Sequence, residues 1–342
     1  MKTLIVDYLI RILISVLPVV VFLIALMFLD SYKLIRFRTV LLTVCLGFGV
    51  AFACWYINDS LKELLGFEHT RYAKYVSPIV EEALKASYIV FLISSKRVGF
   101  MVDGAIRGFA MGTGFAIVEN VIMLSQLPDT SMFIWIIRGF GTAVMHGGTT
   151  ALFGIISKDL SDRHESSAAW ILLPGLLIAI IIHSAYNHLI YISPELSAAG
   201  IVIGLPLVML LVFQQSERSL KKWLGIGFDT DSELFEMITS GNITETRIGK
   251  YLISLKSRFP GEVVADMLCL LRIHLELSIR AKGMLLMREA GFDAPLDPEI
   301  KERFQELNYL EKSIGKTGRL TIMPFLRWSS HDLWQLYMLR KR

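Results

Sequence analysis

The chain has 342 residues, 54% of them hydrophobic and 19% charged, with a mean hydropathy of +0.53. That balance excludes an ordinary water-soluble globular domain and fits a multi-pass membrane protein with a soluble portion attached. A formal net charge of +4 gives no argument for nucleic acid, and Cys45, Cys54 and Cys269 form neither a disulfide framework nor a CxxC metal knuckle.

About seven stretches reach the ~20 apolar residues that a spanning helix needs. They lie near 8–29, 40–57, 72–94, 100–127, 132–156, 168–191 and 197–213. The first is too long for a signal-peptide core and is expected to stay as a helix. Lys33, Arg36 and Arg38 follow the first stretch, Lys96 and Arg97 the third, Lys158 and Arg163 the fifth, and Arg218, Lys221 and Lys222 the seventh. The connections 125–131 and 192–197 carry no positive residue. This bias predicts a cell-membrane protein with its N-terminus outside and its C-terminus in the cytoplasm. Lys62 and Arg71, in the expected outer loop 58–71, run against it.

Beyond residue 214 charges become frequent and no stretch could span. Helix signals recur: Asp231 ahead of 234–238, Pro260 and Gly261 opening an amphipathic run, and Asp297 with Pro298 ahead of 299–312. Val263, Met267, Leu270, Leu271, His274, Leu275 and Ile279 repeat at helical spacing. The expected architecture is all-α: a membrane bundle over 1–214 and a soluble helical domain over 215–342. The second part is long enough for its own core and would meet any partner from the cytoplasmic side.

Four of the apolar stretches carry ionisable or amide side chains, each costing roughly 2.5–3.5 kcal/mol or more at mid-membrane unless it meets a partner, a wet cavity or a reaction. In the third, Glu81 and Lys85 are one turn apart, with Glu82 also within reach of Lys85. One pair would read as helix glue; the surplus carboxylate points to chemistry. The fourth has a stripe of Gly104, Gly108 and Gly112 that lets another backbone approach, which alone signals packing. Phe115 and Glu119 continue along it, and Asn120 follows. Glu119 suits an interhelical hydrogen bond as readily as catalysis. The fifth carries His146 with Thr149 and Thr150 on its face; a lone histidine there is more often a bonded core residue than a ligand. In the sixth, His183 and Asn187 are one turn apart, an arrangement that can hold a water or an oxyanion, or clamp two helices.

Counted at 1.5 Å per residue from the outer boundaries, Glu81, Glu119 and His183 each lie roughly 10–15 Å deep, and His146 near ~20 Å. Three of the four groups share a layer, which supports a single site.

In this order, Glu81-Glu82-Ala-Leu-Lys85, Phe115-Ala-Ile-Val-Glu119-Asn120, His146-Gly-Gly-Thr-Thr and His183-Ser-Ala-Tyr-Asn187 resemble the PrsW family of intramembrane proteases. That family is similar to the CAAX prenyl endopeptidases and, distantly, to the non-proteolytic scaffold subunit of gamma-secretase. The resemblance covers chiefly 72–191 and not the tail. It implies hydrolysis of peptide bonds in membrane-anchored proteins, with first-site cleavage of an anti-sigma factor as the best-known role, through Glu81, Glu82, Lys85, Glu119, His146, His183 and Asn187. By analogy with the CAAX family, Glu81 would activate water and Glu82 would partner Lys85. If zinc is used, His146, His183 and Glu119 are the expected ligands, although the chain has no His-Glu-x-x-His motif; a metal-free glutamate mechanism is the alternative. A non-catalytic scaffold or a proton-coupled transporter are the competing functions. No Gly-x-Ser-x-Gly nucleophile, pair of intramembrane Asp residues or inverted hydropathy repeat supports the other membrane classes.

Overall fold

The computed structural model describes residues 2–126, 131–164, 168–292, 298–326 and 330–340. Leu127, at the end of the fourth expected span, and Asp297, ahead of the last expected helix, lie outside the described residues. Every regular element among the described residues is helical: α1 (Lys2–Leu29), α2 (Phe37–Leu65), α3 (His69–Tyr75), α4 (Ser77–Ser94), α5 (Met101–Gln126) and α6 (Met132–Ile137). A π-helical segment, Arg138–Ala143, leads into α7 (Val144–Arg163). Then come α8 (Ala169–Leu189), α9 (Pro194–Thr239), α10 (Arg247–Leu255), α11 (Gly261–Glu289), α12 (Glu299–Ile322) and α13 (Ser330–Arg340). The chain divides into two compact units, Met1–Ser216 and Glu217–Arg342.

Among the described residues, five helices are long and apolar enough to cross a membrane: Val6–Leu29, Phe37–Leu65, Met101–Gln126, Trp170–Leu189 and Pro194–Thr239. α4 falls short because Glu81, Glu82 and Lys85 interrupt it, and α7 because its histidine, glycines and threonines dilute its apolar content. Large apolar side chains such as Leu9, Leu13, Trp55, Ile181 and Leu211 are exposed on α1, α2, α8 and α9, as expected of surfaces that face lipid. α5 runs through the centre of the unit. Its Ala105, Ile106 and Phe109 pack in one core with Val19, Leu23 and Leu26 of α1, Val144 and Ala151 of α7, and Met209 and Phe213 of α9.

Several boundaries differ from the sequence expectation for identifiable reasons. The stretch 72–94 is two helices, because Pro78 has no N–H to offer the carbonyl of Lys74. That carbonyl accepts from Ser184 Oγ at 2.7 Å, and the neighbouring Ala73 carbonyl accepts from Asn187 Nδ2 at 2.9 Å. α2 continues two turns past residue 57 and stops at Gly66, whose φ of 62° forms a left-handed cap with its N–H directed to the carbonyls of Lys62 and Glu63. α9 runs through the expected stop near residue 213, so Asp231 lies inside a helix rather than ahead of one.

In the second unit, Met267, Leu270, Leu271 and Leu275 of α11 pack against Leu307, Leu310 and Ile314 of α12. Gly315, at φ 65°, breaks the helical path of α12. Asp231 is buried and accepts from Ser278 and Lys282, each at 2.5 Å.

Candidate active site

The glycine stripe of α5 fixes the distance between the helices that carry Glu119 and His146. A Cβ at Gly104 would lie 2.8 Å from the Gly154 carbonyl oxygen of α7; at Gly108 it would run into the Thr150 carbonyl, and at Gly112 into the carbonyl of His146 itself. With the two backbones in contact, Nε2 of His146 comes to 2.5 Å from Glu119 Oε2. Arg138, on the π-helical segment, holds the other oxygen: its Nη2 is 2.7 Å from Glu119 Oε1, and its Nε donates to Asn120 Oδ1 at 2.9 Å. Glu119 is thus fixed from both sides.

α4 delivers the paired acids to different surroundings. Three donors converge on Glu82 Oε1: Lys85 Nζ at 2.6 Å, Thr149 Oγ1 at 3.1 Å and His183 Nδ1 at 2.8 Å. Lys85, fully buried, also meets His146 Nδ1 at 3.2 Å and sits 4.8 Å from the Phe115 ring centre. Breaking such a buried pair by removing one partner costs roughly 3–5 kcal/mol, because a charge is left unpaired. Glu81 is less enclosed. Its Oε1 accepts from Ser77 Oγ and from Asn58 Nδ2, and its Oε2 lies 3.9 Å from His183 Nε2. Glu81 and Glu119 both line a cavity of about 340 Å³ with Cys54, Asn58 and Tyr72. The His146 and His183 rings meet edge to face, with centres 4.9 Å apart.

Six of the residues singled out in the sequence therefore stand in one cluster: Glu81, Glu82, Lys85, Glu119, His146 and His183. Asn187 does not join them; its amide is spent on the Ala73 carbonyl, one turn from His183. His146 reaches Glu119 despite the greater depth counted for it. The π-helical segment between the outer end of its stretch and the histidine uses more residues per turn than an α-helix, so a count at α-helical rise overstates its depth. Arg138 and Asn58 are additions. Arg138 carried a signal, an arginine inside an otherwise apolar stretch. Asn58 did not, because it lies past the apolar part of α2.

A metal ion can be tested against these side chains. One ligand atom each from Glu81, His146 and His183 fall within 4.8 Å of one another. The oxygen and two nitrogens suit zinc, with Glu81 in place of the expected Glu119. Carboxylates stand behind both histidines, Glu82 at His183 Nδ1 and Glu119 at His146 Nε2, the outer support that metal-bound imidazoles usually have. Among the described residues, Lys85 is paired with Glu82 and Arg138 with Glu119, and no cationic side chain is bonded to Glu81. The group fits, with His146 exchanging its bond to Lys85 for one to the ion.

A family model described as PrsW family intramembrane metalloprotease matches residues 36–213. The curated proteins give no match to the chain, and the solved structures give none either.

Proposed function

The chain belongs to the PrsW family of intramembrane metalloproteases, and we propose that it cuts membrane-anchored proteins at the cluster of Glu81, His146 and His183. The observation that carries this reading is the division between the two adjacent acids. Glu82 is buried and tied through Oε1 to Lys85, Thr149 and His183, whereas Glu81 lines the cavity and places Oε2 3.9 Å from His183 Nε2.

A water held between Glu81 Oε2 and His183 Nε2 would be within reach of both. Glu81 takes a proton from that water as its oxygen attacks the scissile carbonyl, then passes the proton to the amine as the carbon–nitrogen bond breaks. Glu82 fixes the ring of His183. With Nδ1 turned to Glu82, the other ring nitrogen, Nε2, is the one that faces Glu81 and the reacting carbonyl. Glu119, itself held by Arg138, holds His146. Zinc, where bound, would be held by Glu81, His146 and His183 and would supply, in place of an N–H at His183 Nε2, a Lewis acid and a more acidic water.

In the membrane, α4 and the run of α6, the π-helical segment and α7 would join the five apolar helices to give seven spans. Their polar groups face inward, which makes crossing tolerable. The Lys and Arg bias puts the N-terminus outside and Glu217–Arg342 in the cytoplasm as a separate helical domain. The substrate would be a membrane-anchored protein, with an anti-sigma factor cut at its first site as the specific candidate. The test is purified protein reconstituted in liposomes with a single-pass substrate, the products being read by mass spectrometry. A single internal cut is expected; intact substrate bound to the protein would instead indicate a scaffold.

A further inference from the structure

We propose that Asn58, oriented by Tyr72, is a positioning residue that leaves Glu81 with a single reactive oxygen. The inference rests on the reading of Glu81 as the group that activates water. The Tyr72 hydroxyl donates to Asn58 Oδ1 at 3.0 Å. An amide has its acceptor and its donors on opposite sides, so this bond fixes which side faces Glu81. Asn58 Nδ2 then donates to Glu81 Oε1 at 3.3 Å and to Ser77 Oγ at 3.2 Å. Ser77, having accepted that bond, donates its own hydrogen to the same Glu81 Oε1. Every donor in the chain of contacts points one way, from Tyr72 through Asn58 and Ser77 to Glu81.

Oε1 is thereby occupied, and Oε2 is the oxygen left facing His183 Nε2 at 3.9 Å. All four residues line the same cavity, and Tyr72 is 4% exposed, so water does not compete freely for its hydroxyl. Three helices contribute: Asn58 from α2, Tyr72 from α3, and Ser77 and Glu81 from α4. Without the tyrosine hydroxyl, the amide is free to turn and present its oxygen to the carboxylate. Glu81 would then lose a donor and gain a repulsive neighbour.

The experiment is a double-mutant cycle on kcat and KM with the full-length protein in micelles and a single-pass substrate, using Asn58→Ala, Tyr72→Phe and their combination. Each single change is expected to lower kcat by ~10-fold to 100-fold, as loss of carboxylate placement does, with KM unchanged. Tyr72→Phe should have no further effect once Asn58 is alanine. Ser77→Thr, which keeps the hydroxyl, should retain activity where Ser77→Ala does not. Glu81→Gln, run alongside, separates the two claims. If Glu81→Gln is inactive while Asn58→Ala and Tyr72→Phe cut at the wild-type rate, the positioning role is wrong and the proposed function stands. If Glu81→Gln cuts normally, both are wrong. A rise in KM alone would make Asn58 a substrate contact, and additive losses in the double variant would break the link from Tyr72. Should Asn58→Ala fail to fold, Tyr72→Phe and Ser77→Ala, each removing one oxygen, decide the matter.

Discussion

Gly112→Ala tests whether helix contact places the active-site histidine. At Gly104 an added Cβ would fall about 0.6 Å short of an ordinary contact, its 2.8 Å comparing with the 3.4 Å where normal packing begins. At Gly112 the clash is with the His146 carbonyl and is tighter still, so α5 and α7 must part there by on the order of 1 Å. Overpacking of that kind costs about 1–3 kcal/mol. The larger effect falls on geometry: His146 moves away from Glu119, and a misplacement near 1 Å costs roughly 100-fold in rate. The assay is cleavage of a single-pass substrate per mole of folded protein, with thermal unfolding in detergent measured in parallel. Gly204→Ala is the control, since nothing lies within 4 Å of a Cβ there, and it should leave both quantities unchanged. Wild-type cleavage and melting in Gly112→Ala would refute the argument that backbone contact sets the site.

Arg138→Lys should lower cleavage by ~10-fold or more while the protein still inserts, because one ammonium cannot replace the planar fork that serves Glu119 and Asn120 together; cleavage rates at matched expression check it. In the second unit, burial pushes the His274 imidazole down to about 4, Lys282 nearby adding to the effect and Asp231 opposing it. The folded unit therefore holds this ring neutral. Its contribution to stability is complete above pH 6.5 and is lost as the pH falls toward 4, where the unfolded chain takes up a proton that the folded one refuses. Between pH 7 and 5 the loss is about 2 kcal/mol, and His274→Leu should remove it; limited proteolysis of Glu217–Arg342 in the full-length chain gives the comparison. Zinc added to metal-free protein should raise the thermal midpoint by binding the folded state, and His183→Ala should abolish the rise; equal responses in both proteins would place zinc elsewhere.

The sequence disclosed the site's members more readily than their arrangement. Buried charge in an apolar stretch is costly, so Glu81, Glu82, Lys85, Glu119, His146 and His183 stand out from hydropathy alone. Helical periodicity shows which residues share a face, but not which helix lies opposite. The glycine stripe of α5 announced close packing, yet only the fold names α7 as its partner and His146 as the residue it seats. The π-helical segment has no comparable sequence signature, and it makes the α-helical count to His146 too long. Of the two readings of Asn187, its contact is that of a clamp between helices, a choice that spacing leaves open because it gives a side chain's face and not its direction; the break at Pro78 creates carbonyls that Ser184 and Asn187 satisfy. Asn58 was hidden because residues 58–65 are polar enough to end an apolar stretch while remaining good helix formers, so α2 outlasts its hydrophobic signal.

The two acids of α4 allow the most direct measurement. Glu81→Gln and Glu82→Gln would be purified, their folded amounts matched by thermal unfolding, and each incubated in liposomes with the same single-pass substrate. Glu81→Gln keeps the side chain's shape and should melt close to wild type yet release no product. Glu82→Gln should melt far lower, because it leaves Lys85 buried without its carboxylate. Cleavage by folded Glu81→Gln at the wild-type rate would contradict the assignment of Glu81 as the group that activates water.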